Sequence, residues 1–147
     1  MMRKLSIALV LLSVAFTASA REKTLDQLKD EAAKAHSGHQ AVLYAKIAQA
    51  LVDVADQQFT NSRSADAHRT IQDVLENASR AHDVALQSHK KLKEVEIRLR
   101  ETQRHLHNVR RTLALADRPA VEAVENKLEG FRQDLLNTMF APRKEKK

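Results

Sequence analysis

A heptad repeat of apolar and small residues runs through residues 71–116 and constrains the fold more than any other feature of the sequence. With Ile71 as position a, positions a and d hold Ile71, Val74, Ala78, Ala81, Ala85, Ser88, Leu92, Val95, Leu99, Thr102, Leu106, Val109, Leu113 and Ala116. The register continues for about six heptads, and three or four already indicate helices that pack along a seam. Neither glycine nor proline occurs between His39 and Arg118, so the pattern predicts one long helix over about residues 63–116.

A first helix is predicted over about residues 24–59. Thr24 and Gln27 have the spacing of a capping box at its start. Residues 41–59 then carry two neighbouring apolar stripes, a wider face than a single seam requires. Gly38 lies inside this helix, where we expect a slight kink rather than an end.

A last helix is predicted over about residues 118–140. Asp117 can cap it, and Pro119 is tolerated in its first turn. Residues 143–147 form a charged tail that we expect to be disordered. The predicted fold is all-α, an antiparallel bundle of long helices or a coiled-coil-like rod, with three long helices, or four if the first or middle one breaks.

Two arrangements of these helices compete. In a rod, the first and last helices run back along different halves of the long one, and a second copy covers the surplus stripe of residues 41–59. In a compact bundle, the long helix breaks near residues 87–90 and covers that stripe itself. The unbroken repeat favours the rod, and therefore an elongated homodimer. The seam residues that we expect to support the interaction are Ile71, Val74, Leu92, Val95, Leu99, Leu106, Val109 and Leu113.

The start of the chain has the three parts of an export signal. A basic start is followed by an apolar stretch over residues 5–16 and by Ala18-Ser19-Ala20, a pattern typical of cleavage sites. We therefore expect a signal peptide over residues 1–20, a helical domain over residues 21–142, and a location in the periplasm or outside the cell. The sequence has no cysteine, so the helices must hold together without disulfides.

Seven histidines raise the question of a metal site. The candidate ligands are His36, His39, His82 and His89. A metal site needs three or four converging ligands, and neither a Glu-x-x-His pair nor a His-Glu-x-x-His motif occurs. Solvated histidines on polar helix faces explain the pattern better, and we expect no metal or cofactor. A bundle that binds a metal or another ligand through histidines is the alternative.

A basic segment over residues 90–111 supports a further alternative. Its candidate anion-facing residues are Lys90, Lys91, Lys93, Arg98, Arg100 and Arg104. They could meet acidic headgroups or an acidic partner at an envelope surface. However, the basic residues of the segment spread over several heptad positions, as on the charged outside of a coiled coil, so the structural interpretation is favoured.

The sequence gives no support for catalysis. Without cysteine there is no thiol nucleophile, and two glycines cannot build a phosphate-binding loop. A helical rod also lacks the concave pocket of most active sites. Aromatic residues are scarce and stand apart from the basic segment, which argues against nucleic-acid binding. We predict that the protein is not an enzyme.

Two resemblances also indicate packed helices without a known activity. The spacing of Leu51, Val54, Ala55, Ala67, Ile71 and Val74 is similar to one tetratricopeptide-type hairpin, a pattern typical of two packed antiparallel helices. The runs Ala41-Val42-Leu43-Tyr44-Ala45-Lys46 and Asp117-Arg118-Pro119-Ala120-Val121-Glu122 resemble segments of uncharacterised bacterial secreted helical proteins. This resemblance implies export and a helical fold, without an activity.

The sequence as a whole predicts an exported, non-enzymatic helical scaffold or protein-interaction protein. We expect it to associate with itself through helices, and another envelope protein or an anionic surface could be a partner. We expect no nucleic-acid partner, and no transmembrane span once the signal is removed.

Overall fold

The computed structural model describes residues 23–142 of the 147-residue chain and confirms the predicted all-α class. Five helices and no strand occur within this range. The helices are α1 (Leu25–Lys34), α2 (Ser37–Thr60), α3 (Ser64–Ser88), α4 (Leu92–Thr112) and α5 (Arg118–Phe140). The predicted signal peptide and the charged tail lie outside the described residues.

The prediction of one first helix is wrong, because the chain turns before it reaches the glycine. Thr24 begins α1 with the capping box that the sequence indicates. Ala35 and His36 then adopt extended backbone, which ends α1 and separates it from α2. The turn folds α1 back onto α2, and the Gln40 side-chain amide donates to the Ala32 carbonyl at 2.9 Å.

The prediction of one continuous long helix is also wrong, and the chain breaks close to where the compact alternative places the break. Helix α3 ends at Ser88, after which His89 and Lys91 have left-handed backbone with φ of 52° and 59°. Left-handed residues reverse the chain at helix ends, usually with glycine or asparagine. Neither occurs in this turn, so breaker residues give no warning of it.

Helices α2 and α3 form one hairpin, and α4 and α5 form another. The hairpins lie side by side, because α2 contacts α4 and α3 contacts α5. Arg98 reaches Gln49, and His105 reaches Asp53, so α2 and α4 run in the same direction.

Helices α3 and α5 also run in the same direction. His68 contacts Asp117 near the start of both helices, and His82 contacts Asp134 further along both. One end of the molecule therefore contains the start of α2, the α3–α4 turn and the end of α5. The opposite end contains the end of α2, the start of α3 and the α4–α5 turn.

The apolar core lies between the two hairpins. Its largest fully buried side chains include Leu43, Ile47, Ile71, Leu99, Leu106, Leu128 and Leu135. Alanines fill much of the contact between α2 and α3, where small side chains allow the two backbones to approach closely: Ala41, Ala45, Ala48, Ala78, Ala81 and Ala85. Seven of the eight predicted seam residues are buried inside the chain, and Leu92 is half-buried.

Among the described residues 23–142, helix α2 has three neighbouring helices, namely α1, α3 and α4. This explains its wide apolar face without a second copy, because α1 and α4 cover the stripe that a two-helix rod leaves open. Both reasons for expecting a homodimer, the surplus stripe and the unbroken long helix, are thereby removed. Self-association itself stays a prediction.

Candidate functional site

One end of the molecule carries lysines on stretches of chain that contain no acidic residue. Residues 32–52, 84–93 and 135–142 hold no Asp or Glu. They supply the start of α2, the α3–α4 turn and the end of α5, which the topology brings together. We call this surface the basic end and define it by Lys34, His36, His39, His89, Lys90, Lys91, Lys93 and Phe140.

The lysines of the basic end are exposed and almost free of ion pairs. Lys34, Lys90 and Lys93 form no salt bridge with any residue between 23 and 142. Lys91 approaches only Glu94, with 3.7 Å between its Nζ and the carboxylate oxygen. Neighbouring cations without counter-charges produce a positive local potential that attracts anions.

Gly38 fixes the position of two of these lysines. It is buried in the first turn of α2, and a Cβ atom there would lie 3.1 Å from the Cβ of Lys90 and 3.4 Å from the Cγ of Lys91. The missing side chain therefore allows the α3–α4 turn to approach α2 closely. The stems of both lysines lie against the start of α2, and both residues remain exposed.

The first turn of α2 adds to the positive potential of the basic end. Its N-cap residue, His36, makes no side-chain hydrogen bond to the backbone N–H groups of that turn. Unpaired N–H groups at a helix start carry partial positive charge. The helix start and the two packed lysines therefore act in the same direction.

An exposed aromatic ring lies at the same end. Phe140, the last residue of α5, is 80% exposed. Asp134 lies beside His82 of the parallel helix α3, with 2.9 Å between the carboxylate and Nε2. Each helix rises about 1.5 Å per residue, so α5 reaches Phe140 roughly level with Ser88, the residue that ends α3.

At the opposite end, by contrast, several charged side chains form ion pairs between helices. The carboxylate of Glu125 is buried, accepts a hydrogen bond from Arg110 Nε at 2.6 Å and lies 3.2 Å from His107 Nδ1. Asp117 lies 2.8 Å from His68 Nε2 and makes no side-chain bond to the start of α5, which it was expected to cap. These contacts join α4 to α5 and α3 to α5.

The structure separates the four histidine candidates. Three are exposed at the basic end: His36, His39 and His89. His82 is buried between α3 and α5, where its ring nitrogens lie 2.8 and 2.9 Å from the carboxylates of Asp83 and Asp134. Across residues 23–142, no three side chains of His, Cys, Asp or Glu converge as metal ligands.

The predicted basic segment is divided between two places. Its three lysines belong to the basic end, whereas Arg98 lines a groove between α1, α2 and α4. There its Nη1 donates to Gln49 Oε1 at 3.4 Å, and its Nε is buried without a partner among the described atoms. Arg100 lies 3.8 Å from the buried Glu96, and Arg104 is exposed.

Two residues of the basic end, Lys34 and Phe140, were not predicted as site residues, and neither was Gly38, which lies beneath two of its lysines. The absence of Asp and Glu from three stretches is visible in the sequence. It points to a site only once the topology places those stretches at one end, and that requires both turns, which the sequence indicated only as alternatives to continuous helices.

Comparisons with known proteins assign no role to the basic end, so its geometry alone guides the interpretation. No helix within residues 23–142 has the length and apolar character needed to cross a membrane. The resemblance to bacterial secreted helical proteins stays an expectation from the sequence. No protein-family model, curated protein or solved structure matches this chain.

Proposed function

We propose that this chain is a non-enzymatic binding protein that uses its basic end to dock on an anionic surface. The observation that supports the proposal most is the cluster of exposed lysines on stretches without a single carboxylate. Such lysines add no stability through ion pairs, but they raise the rate and affinity with which an anionic partner associates. The close approach of Lys90 and Lys91 to Gly38 places both lysines beside the start of α2.

This proposal retains the predicted interaction role and identifies a surface for it. The predicted seam residues lie in the core, so they support the surface from within rather than meeting a partner. An export signal over residues 1–20, if it acts as proposed, would bring the basic end to an envelope surface. The proposal needs only one copy of the chain, and a homodimer is a separate prediction that a mass measurement in solution tests.

The test measures binding of the purified protein to two anionic probes and two controls. The anionic probes are poly-L-glutamate and vesicles that contain phosphatidylglycerol, and the controls are poly-L-lysine and phosphatidylcholine vesicles. We expect binding to at least one anionic probe at about 0.1 M salt and a large loss at about 1 M, where the screening length falls from about 10 Å to about 3 Å.

Two outcomes would contradict the proposal. The first is the absence of binding to both anionic probes at low salt. The second is binding that is equally strong on the control probes or unaffected by salt, because neither fits a contact made by lysines.

A further inference from the structure

Phe140 distinguishes the basic end from a purely ionic patch. Its ring is 80% exposed, whereas most large apolar side chains of the described helices are buried or half-buried. The ring projects where α5 ends, roughly level with the α3–α4 turn that carries Lys90 and Lys91. An aromatic ring beside cations is the combination that peripheral proteins present to a membrane interface.

Resting on the proposed function, we infer that the anionic surface is a phospholipid bilayer. The lysines of the basic end contact acidic headgroups, and Phe140 inserts between them. Either contribution alone gives weak attachment, and stable binding usually combines an apolar group with a cluster of basic residues.

Lys90, Lys91 and Lys93 supply the ionic part of this contact. Each basic residue near an anionic bilayer strengthens binding roughly fivefold, so the three lysines act together.

The breadth of the basic end, where Glu94 lies 3.7 Å from Lys91, favours a bilayer over an acidic peptide. Several helix ends contribute to the basic end, and a helix with its side chains is about 10 Å wide, which makes the surface roughly 20 Å across. A peptide needs only a groove, whereas a bilayer presents negative charge across its whole area, which suits a broad surface built from stretches that contain no Asp or Glu.

The opposite end provides an internal control. Leu115, in the α4–α5 turn, is 77% exposed and therefore nearly as accessible as Phe140. However, Asp117 follows two residues later and Glu122 lies in the first turns of α5. An exposed apolar side chain beside carboxylates does not fit an anionic headgroup layer, so we expect this end to face away from the bilayer.

The sequence contains no tryptophan, which allows a direct test. Phe140→Trp and Leu115→Trp each introduce a single fluorescent reporter at an exposed position, one at each end. Both proteins are titrated with phosphatidylglycerol-containing vesicles, phosphatidylcholine vesicles and poly-L-glutamate. We expect a blue shift and quenching by brominated lipid for Phe140→Trp with the phosphatidylglycerol vesicles alone, and neither change for Leu115→Trp.

A second pair of variants keeps the test independent of the reporter. Burying a phenylalanine contributes enough that Phe140→Ser should weaken vesicle binding roughly tenfold or more, whereas Leu115→Ser should leave it unchanged. Both positions are exposed, so retained helical circular dichroism is expected and is checked first.

Each remaining outcome overturns a stated part of the account. Vesicle binding without a fluorescence change at position 140 excludes insertion of the ring, and a change at position 115 excludes the orientation. Binding to poly-L-glutamate but not to vesicles indicates an acidic protein partner, which rejects the bilayer while the proposed function stands. Failure to bind any anionic probe rejects both.

Discussion

The two ends of the molecule are built from the same helices but use their charges differently. At the opposite end, the buried Glu125 carboxylate contacts Arg110 and His107, and these contacts tie α4 to α5. At the basic end, Lys90 and Lys93 are exposed and have no acidic partner within residues 23–142. The difference indicates that charge contributes to folding at one end and is available for binding at the other.

The core that both ends share should show the largest effect on stability. Leu99 is fully buried in α4 between the hairpins, so Leu99→Ala should cost about 2–5 kcal/mol of unfolding free energy. Chemical denaturation measures this cost. A loss below roughly 0.5 kcal/mol, typical of a surface site, would mean that the hairpins do not pack as described, and the comparison of their ends would lose its basis.

The paired end should show the next largest effect. Glu125→Gln leaves Arg110 beside a neutral amide in a buried site, which should cost about 2 kcal/mol. Glu122→Gln is the matched control, because Glu122 is exposed and lies 3.8 Å from the same arginine. We expect the control to change stability by less than about 0.5 kcal/mol. Equal costs for the two variants would show that the buried pair has no special role.

The basic end should show almost no effect on stability. The combined change of Lys90, Lys91 and Lys93 to glutamine removes three charges that make at most one distant ion pair. Each substitution should therefore stay within about 0.5 kcal/mol, and relief of repulsion between like charges can make the total slightly stabilising. A marked loss of stability would show that these lysines belong to the fold, which would remove the contrast between the ends.

Lowering the pH should weaken the contacts that carboxylates make between and within helices. It should have little effect on the lysines of the basic end, of which only Lys91 approaches a carboxylate within residues 23–142. The pKa of Glu129 lies below its ordinary value, because the Gln133 amide donates to its carboxylate, Gln103 contributes and Arg132 is nearby. A carboxyl group with a lowered folded-state pKa stabilises the fold above its unfolded pKa, and this contribution is lost as pH falls through the folded value. Glu129→Gln should therefore make stability fall less steeply in acid. An unchanged slope would contradict this assignment.

The fold class could be predicted from the sequence, whereas the two turns were predicted only as alternatives to the favoured continuous helices. The heptad repeat identifies most core positions correctly, since eleven of its fourteen a and d residues are buried, while Ser88 and Leu92 are half-buried and Ala116 is exposed. The continuity of the repeat conceals the α3–α4 turn, because its left-handed residues are His89 and Lys91 rather than glycine. Propensity rules detect breaks through glycine and proline, so a break that tertiary packing imposes on other residues escapes them.

The histidines likewise show that tertiary packing decides features that the sequence pattern does not reveal. His82 and His89 share a heptad position that predicts a solvated face. Helix α5 covers that face at His82, where the ring lies 4.7 Å from the ring of Phe131, and leaves His89 exposed. Whether a side chain on this face is buried thus depends on where another helix, distant in the sequence, packs against it. Most residues of the basic end were candidates in the sequence, but their union in one surface was not predicted, because three separate stretches of chain form it.

The most direct test of the central claim compares two variants that remove the same charge from different places. One combines the changes of Lys90, Lys91 and Lys93 to glutamine. The other changes Arg104, Arg111 and Lys127 to glutamine, which are exposed and form no ion pair within the described range. Binding of both to phosphatidylglycerol-containing vesicles is measured at low salt.

At roughly fivefold for each lysine, the basic-end variant should bind about 100-fold more weakly than the unmodified protein. The matched variant should lose much less, because its charges lie away from the docking surface. Equal losses in the two variants would mean that net charge alone governs binding, and would contradict the claim that one end of the molecule is the binding site.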